Sequence, residues 1–169
     1  MSLILSGTDG VQDNSGAIVR DTAKVATGTS VDFTSIPSWV KQVTVMLDGV
    51  SLSGTDDLLV QLGDSGGLET SGYVARGGNA TTAPAVAVTN STSGYPIRIA
   101  AAGNAFIGSM VISNTTGNTW VASYVGHTSA TSLSLGSGVK TLSATLDRVS
   151  VTRTGTDTFD AGTINIIYE

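Results

Sequence analysis

The sequence contains no cysteine, one histidine, three prolines and 12% charged residues over 169 positions. Without cysteine there is no disulfide framework, zinc finger, thiol nucleophile or iron–sulfur site. With His127 alone, paired-histidine metal motifs such as HExxH are also excluded. Lysine and arginine total 8 against 13 acidic residues, a formal net charge of −5, so the clustered cations that track nucleic-acid phosphates are missing. No apolar run approaches the ~20 residues of a membrane-spanning helix. The start, Met1–Ser6, has neither the basic flank nor the apolar length of a signal peptide, so a soluble chain without membrane insertion is expected. Glutamate (Glu69 and Glu169) and lysine are scarce, which deprives the chain of good helix formers.

What is present points to β structure. Serine and threonine make up about a quarter of the chain and glycine contributes 21 residues. Hydrophobic residues at 40% suffice for one packed core in a single domain. Val43, Val45 and Leu47 alternate with Gln42, Thr44, Met46 and Asp48, the period of a half-buried strand. Further strands are expected at Leu58–Leu62, Gly72–Arg76, Ile97–Ala100 and Ala105–Ile112. Others fall around Trp120–Val125, Leu133–Leu135 and Ile164–Tyr168. Ala85–Val88 reads as a strand or an extended loop. Between Gly138 and Gly155, Leu142, Leu146 and Val149 fit a helix by spacing, but the β-branched Thr141, Thr145, Val151 and Thr152 favour strand. Asp48-Gly49 predicts a tight hairpin, and Ser35–Trp39 a single helical turn capped by Ser35. The expected fold is all-β: one antiparallel β-sandwich, jelly-roll-like, over residues 29–169, preceded by an N-terminal docking arm over 1–28. An ordinary edge strand is the competing reading of that first segment.

The residues that could carry chemistry are sparse. A nucleophilic serine needs a base, and only His127, in Gly126-His127-Thr128, is available; there is no GxSxG elbow. Most of the aspartates stand beside Gly, Thr or Ser, where turn formation explains them. Asp9, Asp13 and Asn14 do not match a calcium loop, and Asp56-Asp57 and Asp157 with Asp160 are each at most half an oxygen site. Gly63–Gly67 lacks the lysine of a phosphate loop and reads as a turn leaving the strand before it. Ser6-Gly7-Thr8-Asp9, Ser53-Gly54-Thr55-Asp56 and Thr154-Gly155-Thr156-Asp157 share a Gly-Thr-Asp turn at irregular spacing. No catalytic, metal or cofactor residue is assigned. Trp120 alternates as a core residue, and Trp39 is placed to plug one end of the sandwich. Tyr73, Tyr95 and Tyr124 each have a loop or glycine beside them and suit partner contact. The candidate partner-contact set is Tyr73, Arg76, Tyr95, Arg98 and His127.

Five blocks in combination carry a resemblance. They are Gly28–Lys41; Val43–Ser51; Leu59–Tyr73, with Gly63-Asp64-Ser65-Gly66-Gly67 at its centre; Asn118–Ser123; and Lys140–Val149 with Gly155–Glu169. Over about residues 28–169 the chain resembles a module of tailed-bacteriophage virion proteins, found at the C-terminal end of tail-fibre or appendage proteins. The resemblance implies a virion structural protein on the particle surface, without enzymatic activity or cofactor, and involved in host adhesion. A capsid decoration protein that stabilises the head is the alternative, suggested by the short chain and its N-terminal segment. A virion polysaccharide hydrolase is a third reading, which would need a carboxylate pair. The implied partners are other virion proteins, further copies of the chain in a homotrimer, and a host surface glycan or protein. Arg76–Asn104 and Gly126–Gly138 carry little of the resemblance, and their composition predicts loops. Few lysines guard exposed strand edges, with Lys24, Lys41 and Lys140 as the available gatekeepers, which also favours pairing between copies.

Overall fold

The computed structural model describes residues 18–82, 86–99 and 101–169. Fourteen strands form two antiparallel sheets packed as a β-sandwich, with no helix among the described residues. The larger sheet takes β1 (Val19–Arg20), β14 (Phe159–Tyr168), β4 (Gln42–Leu52), β10 (Ala105–Thr116), β11 (Thr119–Ser129), β12 (Ser132–Thr141), β7 (Val74–Thr81) and β8 (Val86–Ser91), in that spatial order. β2 (Lys24–Val25) also pairs with β14. The smaller sheet runs β3 (Val31–Thr34), β13 (Arg148–Arg153), β5 (Leu58–Asp64) and β6 (Gly67–Leu68), with β9 (Tyr95–Ile97) on β5. Residues 19–25 are therefore edge strands of the sandwich. Of the expected arm over 1–28, residues 1–17, with the Gly7-Thr8-Asp9 turn and the Asp13-Asn14 pair, lie outside the described residues.

The core follows from the period-2 pattern. Val43, Val45 and Leu47 of β4, Phe106, Met110 and Ile112 of β10, and Trp120 and Ala122 of β11 project inward and are buried. They meet Leu58, Val60 and Leu62 of β5, Val149 and Val151 of β13, and Val31 and Phe33 of β3. Each such large side chain contributes on the order of 1.5–3 kcal/mol by leaving water.

Several local expectations change. Asp48-Gly49 is no hairpin: β4 runs straight through it, and the pairing with β10 and β14 slips there instead. Gly49 (φ 65°) and Gly162 (φ 104°) both adopt the left-handed backbone that lets an extra residue bulge out of the ladder. A Cβ on Gly162 would lie 2.5 Å from Val50 Cα, so side chains are excluded at the bulge. Ser35–Trp39 is not helical. Ser35 takes φ 64°, and Val40 N–H donates to the Pro37 carbonyl at 3.1 Å, which closes a turn. After β12, residues 142–147 cross between the sheets, with Leu142 and Leu146 buried in the sandwich. Their three- and four-residue spacing therefore marks a crossing segment in contact with the core rather than a helix.

The segments expected as loops are largely strands. β7, β8 and β9 occupy most of Arg76–Asn104, and β11 and β12 fill Gly126–Gly138. Gly77, Gly126, Gly136 and Gly138 of these segments face inward against aromatic side chains. A Cβ on Gly126 would fall 2.4 Å from Phe106 Cζ, and one on Gly136 would fall 2.3 Å from Tyr124 Cε1. Glycine here makes room for a ring lying across the strand; it does not mark a turn.

Candidate functional site

The expected contact residues separate into two environments. Tyr73 and Tyr95 are each 1% exposed, and Tyr124 is buried beside them, so these rings cannot serve as surface contacts. They join the two sheets instead. The Tyr73 hydroxyl accepts from Leu62 N–H at 2.7 Å, and the Tyr95 hydroxyl donates to the Trp120 carbonyl at 3.0 Å. The Tyr124 hydroxyl accepts from Arg98 N–H at 3.4 Å. Tyr73 and Tyr95 also meet edge to face, with ring centroids 5.2 Å apart. Burial pushes all three phenol pKa values above the ordinary tyrosine value. A phenol needs a partner when buried, and each ring supplies apolar bulk to one layer and a hydrogen bond to the other.

Arg98 is half-buried at the same seam, with its guanidinium 3.7 Å from Asp57, whose other oxygen accepts Ile99 N–H at 3.0 Å. Lys140 is likewise no edge gatekeeper. It is 5% exposed, pairs with Glu69 at 2.5 Å, donates to the Ser71 carbonyl at 2.9 Å, and lies 5.3 Å from the centre of the Tyr73 ring. Burial pushes the Glu69 carboxyl up, but bonds from Lys140 and Ser143 outweigh it and hold the pKa below its usual value. Asp64 is lowered chiefly by the Ser143 hydroxyl and then by Gly66 N–H, the second bond closing the turn expected at Gly63–Gly67. Trp120 is buried as expected. Trp39 is partly buried, with its ring centroid 6.1 Å from that of Tyr168.

Of the three Gly-Thr-Asp turns, the two at Ser53–Asp56 and Thr154–Asp157 meet each other. Asp56 N–H donates to Asp157 Oδ2 at 2.9 Å, and Asp157 N–H donates to Asp56 Oδ2 at 2.9 Å. The fit needs both glycines. A Cβ on Gly54 would sit 2.4 Å from Asp157 Oδ1, and one on Gly155 would sit 2.3 Å from Asp56 Oδ1. The two turns form a reciprocal clasp at the end of the sandwich, in which the carboxylates satisfy backbone donors. Among the described residues, no three metal-binding side chains converge.

Arg76 and His127 remain on the surface, both on the outer face of the larger sheet. The register places them among exposed apolar side chains. Val88 lies beside Gly78, Gly78 opposite Leu135, and Leu135 opposite Val125. The next row runs Val86, Ala80, Leu133, His127 and Ile107. Shallow depressions of about 320 and 220 Å³ flank Arg76, the second lined by Val86, Val88 and Leu135. Arg76 is the one charged side chain on the outward positions of β7, β8, β10, β11 and β12. It has no ion pair among the described residues.

Sequence reasoning missed this face. The available signal was the doubly apolar pattern of Trp120–Val125, where Val121 and Val125 alternate with the core residues instead of polar ones. Such an array suits contact with another surface, and its chemistry is shape and desolvation rather than proton transfer. Comparison with known protein families and with curated protein sequences finds no match.

Proposed function

We propose that the chain is a non-enzymatic structural protein of a bacteriophage particle, a short tail-fibre or appendage module that takes part in host adhesion. The five sequence blocks that resemble phage appendage modules suggest the particle. The observation that carries the reading is a cross-braced sandwich with a wide, nearly uncharged outer face. Tyrosine hydroxyls and the Gly-Thr-Asp clasp brace its interior and one end, while the face offers Val, Leu, Ile and Ser side chains for assembly. Loops at the ends of a rigid sandwich are then the natural receptor-facing elements.

The test is binding of fluorescently labelled protein to susceptible cells. Staining that unlabelled protein competes away is expected, and absence of staining by the native protein contradicts adhesion. A second reading, a decoration protein on the phage head, is favoured by the same apolar face, which suits docking on protein more than on sugar. It predicts a copy number set by the icosahedral lattice and no cell staining.

A further inference from the structure

We propose that the outer face of β7, β8, β10, β11 and β12 is a self-association surface, covered in solution by further copies of this chain. The exposed side chains at its centre are Val86 (75%), Val88 (61%), Val125 (57%), Leu133 (47%), Leu135 (47%) and Ile107 (43%). The strand register makes them neighbours rather than scattered residues. Together they expose on the order of 500 Å² of mostly apolar surface, at the upper end of what a soluble monomer shows. A standard interface buries roughly 800 Å² per partner, of which somewhat over half is apolar. The patch therefore matches the apolar core that one copy contributes to a stable contact.

Three further observations select a second copy as the occupant. First, charge: the protein is acidic, with a formal net charge of −5, yet among the described residues Arg76 is the one charged side chain on this face. Copies can meet here without bringing their carboxylates together. Second, the patch reaches the open edge of the sheet. Among the described residues β8 pairs with β7 alone, and Val86–Ser91 contains neither charge nor proline to block pairing with another strand. Third, the first described strand, β1, lies at the opposite edge of the sheet and leaves this patch uncovered. Residue 18 precedes β1 at the opposite edge, seven strand spacings or about 34 Å from β8. An uncharged apolar face of this kind can meet its own copy about a twofold axis, where two sheets stack, or further copies about a threefold axis, where each contact joins different parts of the patch. The proposal is independent of the particle to which the chain belongs.

Light scattering on the full chain at micromolar concentration tests it. The expected mass is two or three times 17.0 kDa. Val88→Asp with Leu135→Asp should reduce it to 17.0 kDa at the same concentration, an association weakened at least a hundredfold. Val25→Asp, on β2 near the opposite edge and also well exposed at 67%, should leave the native mass unchanged. Circular dichroism checks the fold of each variant. Should the double variant not fold, Val88→Asp alone, on the edge strand, gives the same readout. A native chain at 17.0 kDa overturns the proposal, as does a folded variant that keeps the native mass. Removing residues 1–17 should leave the mass a multiple of the shortened chain. If it abolishes association, or creates association in a monomeric protein, the N-terminal segment covers or bridges the face and the proposal fails.

Discussion

In the Gly-Thr-Asp clasp, Gly155→Ala should destabilise the protein only while Asp56 keeps its carboxylate. The added methyl would lie 2.3 Å from Asp56 Oδ1, 2.7 Å from Oδ2 and 2.8 Å from Cγ, so the whole carboxylate has to leave. The bond it gives up is the one accepted from Asp157 N–H at 2.9 Å. A hydrogen bond to a charged acceptor contributes about 1.5–3 kcal/mol, and partial exposure of this loop places the loss near the lower end. At this chain length about 1.5 kcal/mol corresponds to roughly 3–6 °C in Tm. Asp56→Ala should cost a similar amount, because it deletes the same acceptor. The double variant should then cost no more than Asp56→Ala alone, since nothing remains for the methyl to displace. Gly155 does not occupy the left-handed backbone region, so alanine brings no further strain. The assay is thermal and urea unfolding of the four proteins at one fixed protein concentration, because self-association makes Tm concentration-dependent. A coupling energy equal to nearly the whole single-variant loss is expected. Additive losses would refute the reasoning.

The tyrosine braces, the bulge and the carboxylates yield further tests. Tyr95→Phe keeps the ring but removes the donor to the Trp120 carbonyl, so unfolding should ease by about 1 kcal/mol with the fold intact; an unchanged urea midpoint contradicts the bracing role. Gly162→Ala forces a methyl to 2.5 Å from Val50 Cα in a left-handed backbone, and should lower stability by more than about 3 kcal/mol or prevent soluble expression. The folded-state pKa values of Glu69 and Asp64 lie below their ordinary values of 4.5 and 3.8. Their contribution to stability is therefore complete above about pH 4.5 and disappears as pH falls through the folded-state values. Urea midpoints should be level near neutrality and fall from pH 4.5 toward pH 3; a flat profile across that range contradicts the assignment.

Most of the sandwich was legible in the sequence wherever one strand face is apolar and the other polar. Val43–Leu47 and Ile164–Tyr168 announce themselves because alternation reports burial on one side only. The reading failed where tertiary contact reverses the local signal. Gly126, Gly136 and Gly138 suggest loops in isolation, yet they lie in strands because Phe106, Tyr124 and Tyr95 cover them. The partner that explains each glycine is remote in sequence or on another strand. Asp48-Gly49 has the chemistry of a hairpin, but strands on both sides hold it in a continuous ladder with a bulge. The tyrosines were misjudged for a related reason. A loop beside a ring says nothing about whether its hydroxyl has a carbonyl or amide across the core. The Gly-Thr-Asp recurrence was visible as a pattern, but its meaning, two turns accepting each other's backbone donors, required the fold. The outer face was hidden because apolar residues on strands are normally assigned to the core, and only the register shows which of them point away.

Immunogold electron microscopy of intact phage particles, with antibody raised against the purified chain, tests the central claim most directly. The account predicts gold confined to tail fibres or other tail appendages. Gold on heads would replace the appendage assignment with decoration, and particles without label, under conditions where the antibody binds the purified protein, would contradict a virion structural role.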